Sequence, residues 1–344
     1  MFWGLATGVV QTNDDYEHIL RDIQTLNEWA MEGRLESSAV SVHAFSKIAD
    51  RYALLRHGGS FGEGYGPMIV AEQPIPLDEL KDTVIAVPGE LTSAFLQLHL
   101  WFADHYTGGL PWSDGLEKVS GEAVARALDL HPLTPSSISP RGKNGGGGTG
   151  RTSPAAPSSD GRQVDQATTR RQPGDNQTTA EGQAAGFLKP KFTVVPFDEI
   201  IPAIKSGKVK AGLIIHESQL TYEREGLVEI VNMGKWWQER TGGLPLPLGV
   251  NVVRKDLGTE RCADVSRCMR ESIAAGLDNR EKALDYALQF ARDMDRETSD
   301  EFVGMYVNDR TRDMGEDGIK AIRLMLGLGS AIGMVPATAI DVID

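Results

Sequence analysis

A chain of 344 residues with 40% hydrophobic and 24% charged residues carries enough apolar side chains for one large core or two medium ones, and two domains are expected. The formal charge of -13 argues against nucleic acid or an anionic membrane as partner, because both require a basic face, and leaves a small molecule as the expected ligand. No apolar run approaches the roughly 20 residues that span a bilayer, and Met1-Phe-Trp-Gly-Leu lacks the basic start of a signal peptide, so a cytoplasmic location is expected.

In chain order, Ile19, Ile23, Leu26 and Ala30 recur at helical spacing, with Gly33 ending the helix before a strand in Ser37-Ser-Ala-Val-Ser-Val-His43. The glycine-rich loop His57-Gly-Gly-Ser-Phe-Gly-Glu-Gly-Tyr-Gly-Pro67 leads into a strand at Met68 to Ala71. It is not a phosphate loop, since no Gly-Lys-Ser/Thr follows. Thr83 to Gly89 reads as a buried strand and turn, after which Thr92 or Ser93 can cap a helix carrying Phe95, Leu96, Leu98 and Leu100. Such a helix start offers amides and a positive dipole end to a carboxylate.

Residues 104 to 133 keep some helical pattern, in Val119, Ala123, Ala127 and Leu130. From Arg141 to Ala185 the sequence lacks Leu, Ile, Met, Phe, Trp and Tyr, and four consecutive glycines stand at 145 to 148, so a disordered insertion without a core is expected over about 134–187.

Val194 and Val195 then read as a strand. Asp198 is placed to cap a helix with Ile200, Ile201 and Ile204, Gly207 ends it, and the apolar run from Ala211 to Ile215 is the next strand of a β-α-β unit. That strand stops at His216. Ligands of open α/β sheets bind beyond the carboxyl ends of the strands, which puts His216 at a cleft, where a neutral imidazole can accept a proton near pH 7. A lone histidine at a strand end is more often structural, so the residue needs its context.

A strand at Gly226 to Asn232, a Pro- and Gly-containing passage into Val250 to Arg254, and helices over 260–275, 281–292 and 317–328 complete the reading, with 305–315 as a polar connection. Trp236 and Trp237 are assigned to packing. Cys262 and Cys268 lie six apart on a helix, where they point apart and cannot pair, which suits a reducing compartment. His216 has no second histidine at metal spacing, and neither metal nor cofactor is expected.

Six segments in order, Leu26-Asn-Glu-Trp-Ala, Gly64-Tyr-Gly-Pro, Val87-Pro-Gly, Ala211-Gly-Leu-Ile-Ile-His-Glu-Ser, Leu244-Pro-Leu-Pro-Leu-Gly and Tyr306-Val-Asn-Asp, resemble the 1,4-dihydroxy-6-naphthoate synthases, menaquinone-biosynthesis enzymes of the futalosine route. The resemblance covers nearly the whole chain outside about 104–187. It implies an α/β, two-lobed fold like type II periplasmic binding proteins, with residues 1–80 and 250–344 in the larger lobe, 81–249 in the smaller, and two crossing strands near 71–84 and 248–254. It further implies conversion of cyclic dehypoxanthinyl futalosine to 1,4-dihydroxy-6-naphthoate with release of dihydroxyacetone.

Carried over by position, His216 falls on the family's proton acceptor, Ala39, Val40 and Ser41 on a substrate-binding strand end, and Thr92 and Ser93 on a substrate-binding pair at a helix start. Family members usually begin with a short strand that is missing before the helix opening at Met1, so an upstream start and a missing first sheet strand are expected. Two other classes stay open: a chorismate dehydratase of the same pathway, and a binding protein of the same fold without chemistry. The sequence also leaves open the oligomeric state, a homodimer included.

Overall fold

The computed structural model describes residues 1–107, 109–112, 186–216, 218–290 and 296–344. The chain divides into two compact units, residues 1–130 with 184–344 and residues 131–183, and the second lies outside the described residues, as does nearly all of the expected insertion. Ten strands are described: β1 Ser37–Ser41, β2 Tyr52–Leu55, β3 Ser60–Gly62, β4 Met68–Ala71, β5 Val84–Val87, β6 Lys191–Val194, β7 Ala211–Ile214, β8 Val228–Asn232, β9 Leu246–Arg254 and β10 Val342–Ile343. Among the described residues, no helix is long and apolar enough to cross a membrane.

The strands form two mixed sheets of five. In the first, the order is β1-β9-β2-β10 with β3 also on β9; the long β9 runs antiparallel to β1, β2 and β3. In the second, the order is β6-β5-β7-β4-β8, with β6, β5 and β7 mutually parallel and β4 antiparallel to β7 and β8. The chain changes sheets between Gly62 and Met68, and returns between Asn232 and Leu246. This is earlier than the boundary expected at residue 80, because β4 pairs inside the second sheet. The stretch expected to cross near 71–84 is instead a turn and the helix Leu77–Leu80 before β5.

Strand periodicity decides the packing, since alternate residues of a strand face opposite sides of the sheet. Leu54 joins a core shared with Ile69, Ile85, Val87 and Leu213 of the second sheet and with the buried helix Ser93–Tyr106. Its neighbours Ala53 and Leu55 face the other way, onto Val265, Met269 and Ile273 of the helix Thr259–Asp278. Met68, Val70 and Ala86 likewise turn to Ile200 and Ile204. The two sheets thus share one apolar core, and each keeps a second covered face.

Local signals hold at some helix ends and fail at others. Asp22 accepts from Thr25 N at 3.0 Å to cap Ile23–Glu32, so Ile19 lies outside that helix, and Gly33 closes it with φ of 72°. Asp198 does not cap its helix: a 3-10 turn over Phe197–Glu199 occupies the first turn and no side chain caps Ile200–Lys205. Beyond single-turn helices, two longer ones fall where none is expected from the pattern. Asn232 ends β8 and, through its side chain, caps Met233–Thr241 directly, and Arg296–Tyr306 precedes the connection. Trp236 and Trp237 are buried on the first of these, and both cysteines are free and buried.

Candidate active site

Three parallel strands set up the site. β6, β5 and β7 are neighbours, and their carboxyl ends run into Pro196-Phe197, Pro88 and Ile215-His216 respectively. Pro88, Thr92, Val194, Pro196, Phe197 and Ile215 form one wall of a cleft of about 900 Å³. Its position beyond parallel strand ends and its volume suit a ligand-sized site. The facing wall comes from residues 20 to 24 and from the helices Arg280–Leu288 and Arg296–Tyr306, including Leu284, Leu288 and Val303. Arg21 is the basic residue among the described residues lining this largely apolar space.

His216 follows the last residue of β7 by two positions. It is the one non-glycine with positive φ among the described residues, at 56°. For a residue carrying a Cβ this left-handed conformation costs about 1–2 kcal/mol. The surroundings hold it there. Its ring meets the edge of Phe197 with centroids 5.2 Å apart, and its carbonyl accepts from Gln219 N at 3.2 Å. His216 is half-buried, next in sequence to Ile215 of the cleft wall and in ring contact with Phe197 of the same wall.

The other expected residues form a second polar group. Ser41 N donates to Asn27 Oδ1 at 2.8 Å, and the Ser41 hydroxyl accepts from Asn27 Nδ2 at 3.1 Å. Val42 N donates to the Ser93 hydroxyl at 2.8 Å, which itself donates to the carbonyl of Leu248 at 2.5 Å. Thr92 accepts from Phe95 N at 3.2 Å as the helix cap and donates to the carbonyl of Gly89 at 2.8 Å. The end of β1, the start of the Ser93–Tyr106 helix and β9 are therefore stitched together, and Ser41, Thr92 and Ser93 are all buried.

The structure ties the end of β1 to the helix start through the bond from Val42 N–H to the Ser93 hydroxyl, next to Ser41 and Thr92 in sequence. Thr92 lines the cleft, whereas Ala39, Val40, Ser41 and Ser93 are not among its lining residues; Ala39 and Val40 lie in β1 opposite Asn251 and Val250. Sequence reasoning missed Asn27, the fully buried residue that joins Ser41 to the carbonyl of Leu91 at 3.5 Å. A signal existed, since Asn27 sits on the apolar stripe of its helix with Ile23 and Ala30, where an amide needs buried partners. Phe197, Arg21 and Gln219 were missed too, and no local pattern marks them.

Comparison with known proteins follows the same residues. The menaquinone biosynthesis family matches residues 1–112 and 182–331, leaving a gap over the segment read as an insertion. A protein of Thermus thermophilus named 1,4-dihydroxy-6-naphtoate synthase is 31% identical over 334 residues, 97% of this chain and 90% of its own length. A protein of the same name from Streptomyces coelicolor is 30% identical and covers 99% of this chain and 92% of its own. The crystal structure of protein AF1704 from Archaeoglobus fulgidus, at 30% identity, superposes with a TM-score of 0.68 over 97% of this chain and 93% of that one.

Proposed function

The chain belongs to the menaquinone biosynthesis family, and from that premise we propose that it is a 1,4-dihydroxy-6-naphthoate synthase, a carbon-carbon lyase that releases dihydroxyacetone from cyclic dehypoxanthinyl futalosine. The observation that carries the reading is His216, held in a left-handed turn at the carboxyl end of β7 beside a ligand-sized cleft. Its imidazole is the proton acceptor that starts the bond cleavage, and the electron pair released moves toward the ring that becomes aromatic.

The cleft suits such a substrate on chemical grounds. Its apolar lining takes a flat bicyclic body, and the first turn of the Ser93–Tyr106 helix, with Arg21, favours a carboxylate. Thr92 contacts the ligand from the wall. Ser41 and Ser93, whose hydroxyls are committed to Asn27, Val42 and Leu248, contribute with Ala39 and Val40 by fixing the backbone behind it. The two sheets are read as two lobes of a periplasmic-binding-protein-like fold, working in the cytoplasm on a small carboxylate.

The test is turnover of cyclic dehypoxanthinyl futalosine, followed as naphthoate formation, by the parent chain and by His216→Ala. Turnover that is lost with the alanine establishes reaction and base together. An inactive but folded parent chain that binds the substrate tightly would sink the enzymatic reading.

A further inference from the structure

His216 is gripped at both of its peptide groups by one residue. Gln219 is buried, at 7% exposure, one turn after the strand end. Its backbone N–H donates to the carbonyl of His216 at 3.2 Å. With the side-chain amide oriented to match its neighbours, Oε1 accepts from the backbone N–H of His216 at 3.2 Å and from the Tyr306 hydroxyl at 3.0 Å, while Nε2 donates to the carbonyl of Gly66 at 2.7 Å. The Gln219 side chain thereby meets three separate segments: β7's end, the passage between the sheets at Gly66, and the end of the Arg296–Tyr306 helix.

The far ends of this network are anchored. The Tyr65 ring stands edge-on to Tyr306 with centroids 6.3 Å apart, and its hydroxyl donates to the carbonyl of Phe61 at 2.9 Å and to that of Met305. Gly66 is packed so closely on Leu246 and Gly234 that a Cβ there would not fit. The amide therefore hangs from fixed points and not from a mobile loop.

A left-handed histidine relaxes to an ordinary conformation unless its peptide groups are held, and relaxation would swing the imidazole away from Phe197 of the cleft wall. We infer that Gln219 is the positioning residue of His216: by holding both peptide groups of that residue and tying them to Gly66 and Tyr306, it fixes the direction in which the imidazole points. The inference rests on His216 being the base. It assigns Gln219 no contact with the reacting atoms.

A buried amide with these partners also supports the fold, so the test needs readouts that a structural role alone would not move. Gln219→Met removes all the side-chain bonds at nearly equal length. Gln219→Glu keeps acceptors for the His216 N–H and the Tyr306 hydroxyl, and its buried carboxyl, held in the neutral form, can still donate to Gly66. Displacements of about 1 Å at a reacting group can cost on the order of 100-fold, so Gln219→Met is expected to lower kcat by roughly 10- to 100-fold with KM within about threefold. Gln219→Glu should recover most of that loss. The imidazole resonances of His216, assigned by their disappearance in His216→Gln, should move in Gln219→Met and return toward the parent positions in Gln219→Glu.

Unchanged resonances and unchanged kcat in folded Gln219→Met would overturn the assignment while leaving the proposed reaction intact. Should the parent chain fail to turn over cyclic dehypoxanthinyl futalosine, the functional reading falls by itself, and the resonances alone decide: a shift in the methionine variant that glutamate reverses supports the positioning role, and no shift overturns it.

Discussion

The end of β1 and the turn after β7 both serve the candidate site, and they are built on opposite terms. Around Ser41 the polar groups are paired: Asn27 bonds Ser41, and Ser93 bonds Val42 and Leu248, with Asn27, Ser41 and Ser93 buried and no positive φ among them. Around His216 the backbone is strained, the side chain is half-buried, and its conformation depends on Phe197 and Gln219. The first region has its polar groups paired before any ligand arrives, which suits a wall that holds shape. On the reading that His216 is the base, the second keeps its reactive group at the edge of solvent, which suits proton transfer.

The sharpest break of this comparison is chemical. On the reading that His216 is the base, His216→Ala is expected to reduce kcat by roughly 100- to 10,000-fold, the span a positioned general base contributes, with KM within a few-fold. Chemical denaturation should show stability near that of the parent, because the half-buried side chain stands outside the apolar core clusters. Equal kcat in parent and variant would remove chemistry from this turn.

The opposite pattern is expected at Asn27. Asn27→Ala leaves the Ser41 N–H and the Leu91 carbonyl buried without their partner and opens a small cavity, at a cost of about 3–4 kcal/mol. The measurement is the urea midpoint, and the comparison weakens if that midpoint stays within the scatter of surface variants.

How far these two regions could be read from the sequence follows the range of their contacts. Local signals sufficed for the strand ending at His216, for Gly33 and for the Thr92 cap, since each rests on neighbours within a few residues. The bonds of Asn27 to Ser41 and of Val42 to Ser93 span 14 and 51 positions, and nothing local encodes them. The membership of β4 in the second sheet is likewise settled by antiparallel pairing with β7 and β8, far along the chain. The helix Met233–Thr241 was hidden because Asn232 is both the last strand residue and the cap, and Gly234 in the first turn reads as a loop residue. Asp198 looked like a cap and is not one, because a 3-10 turn precedes the helix.

Acid separates the regions by a smaller amount. Burial, reinforced by the charge of Lys47, pushes His43 beside Ser41 down to about 4, and burial pushes His99 in the adjoining helix down to about 4. Both are neutral in the folded protein and take up protons more readily when unfolded, so stability is full above the ordinary histidine range and is lost as pH falls from about 6.5 to about 4. Each histidine contributes up to about 3 kcal/mol to that loss, which is complete once both states are protonated. Urea midpoints at pH 7, 5.5 and 4.5 measure it. His43→Leu should flatten the dependence, and an unaltered slope would place its source elsewhere.

The smallest effect falls on the residue that belongs to both functions. Thr92 caps the Ser93–Tyr106 helix and lines the cleft, so its two roles need separate variants. Thr92→Ser keeps the oxygen that accepts from Phe95 N and removes only a methyl from the wall, leaving stability within about 0.5 kcal/mol if the hydroxyl is what matters to the fold. Thr92→Val keeps the shape and loses the cap, at about 1 kcal/mol. For a ligand read through its apolar body, KM should rise more in the serine variant than in the valine variant. For a ligand read through a hydrogen bond to Thr92, the order reverses. Stability and KM moving together in both variants would mean that Thr92 acts on the ligand only by holding the helix in place, leaving that wall of the cleft to Phe197 and Ile215.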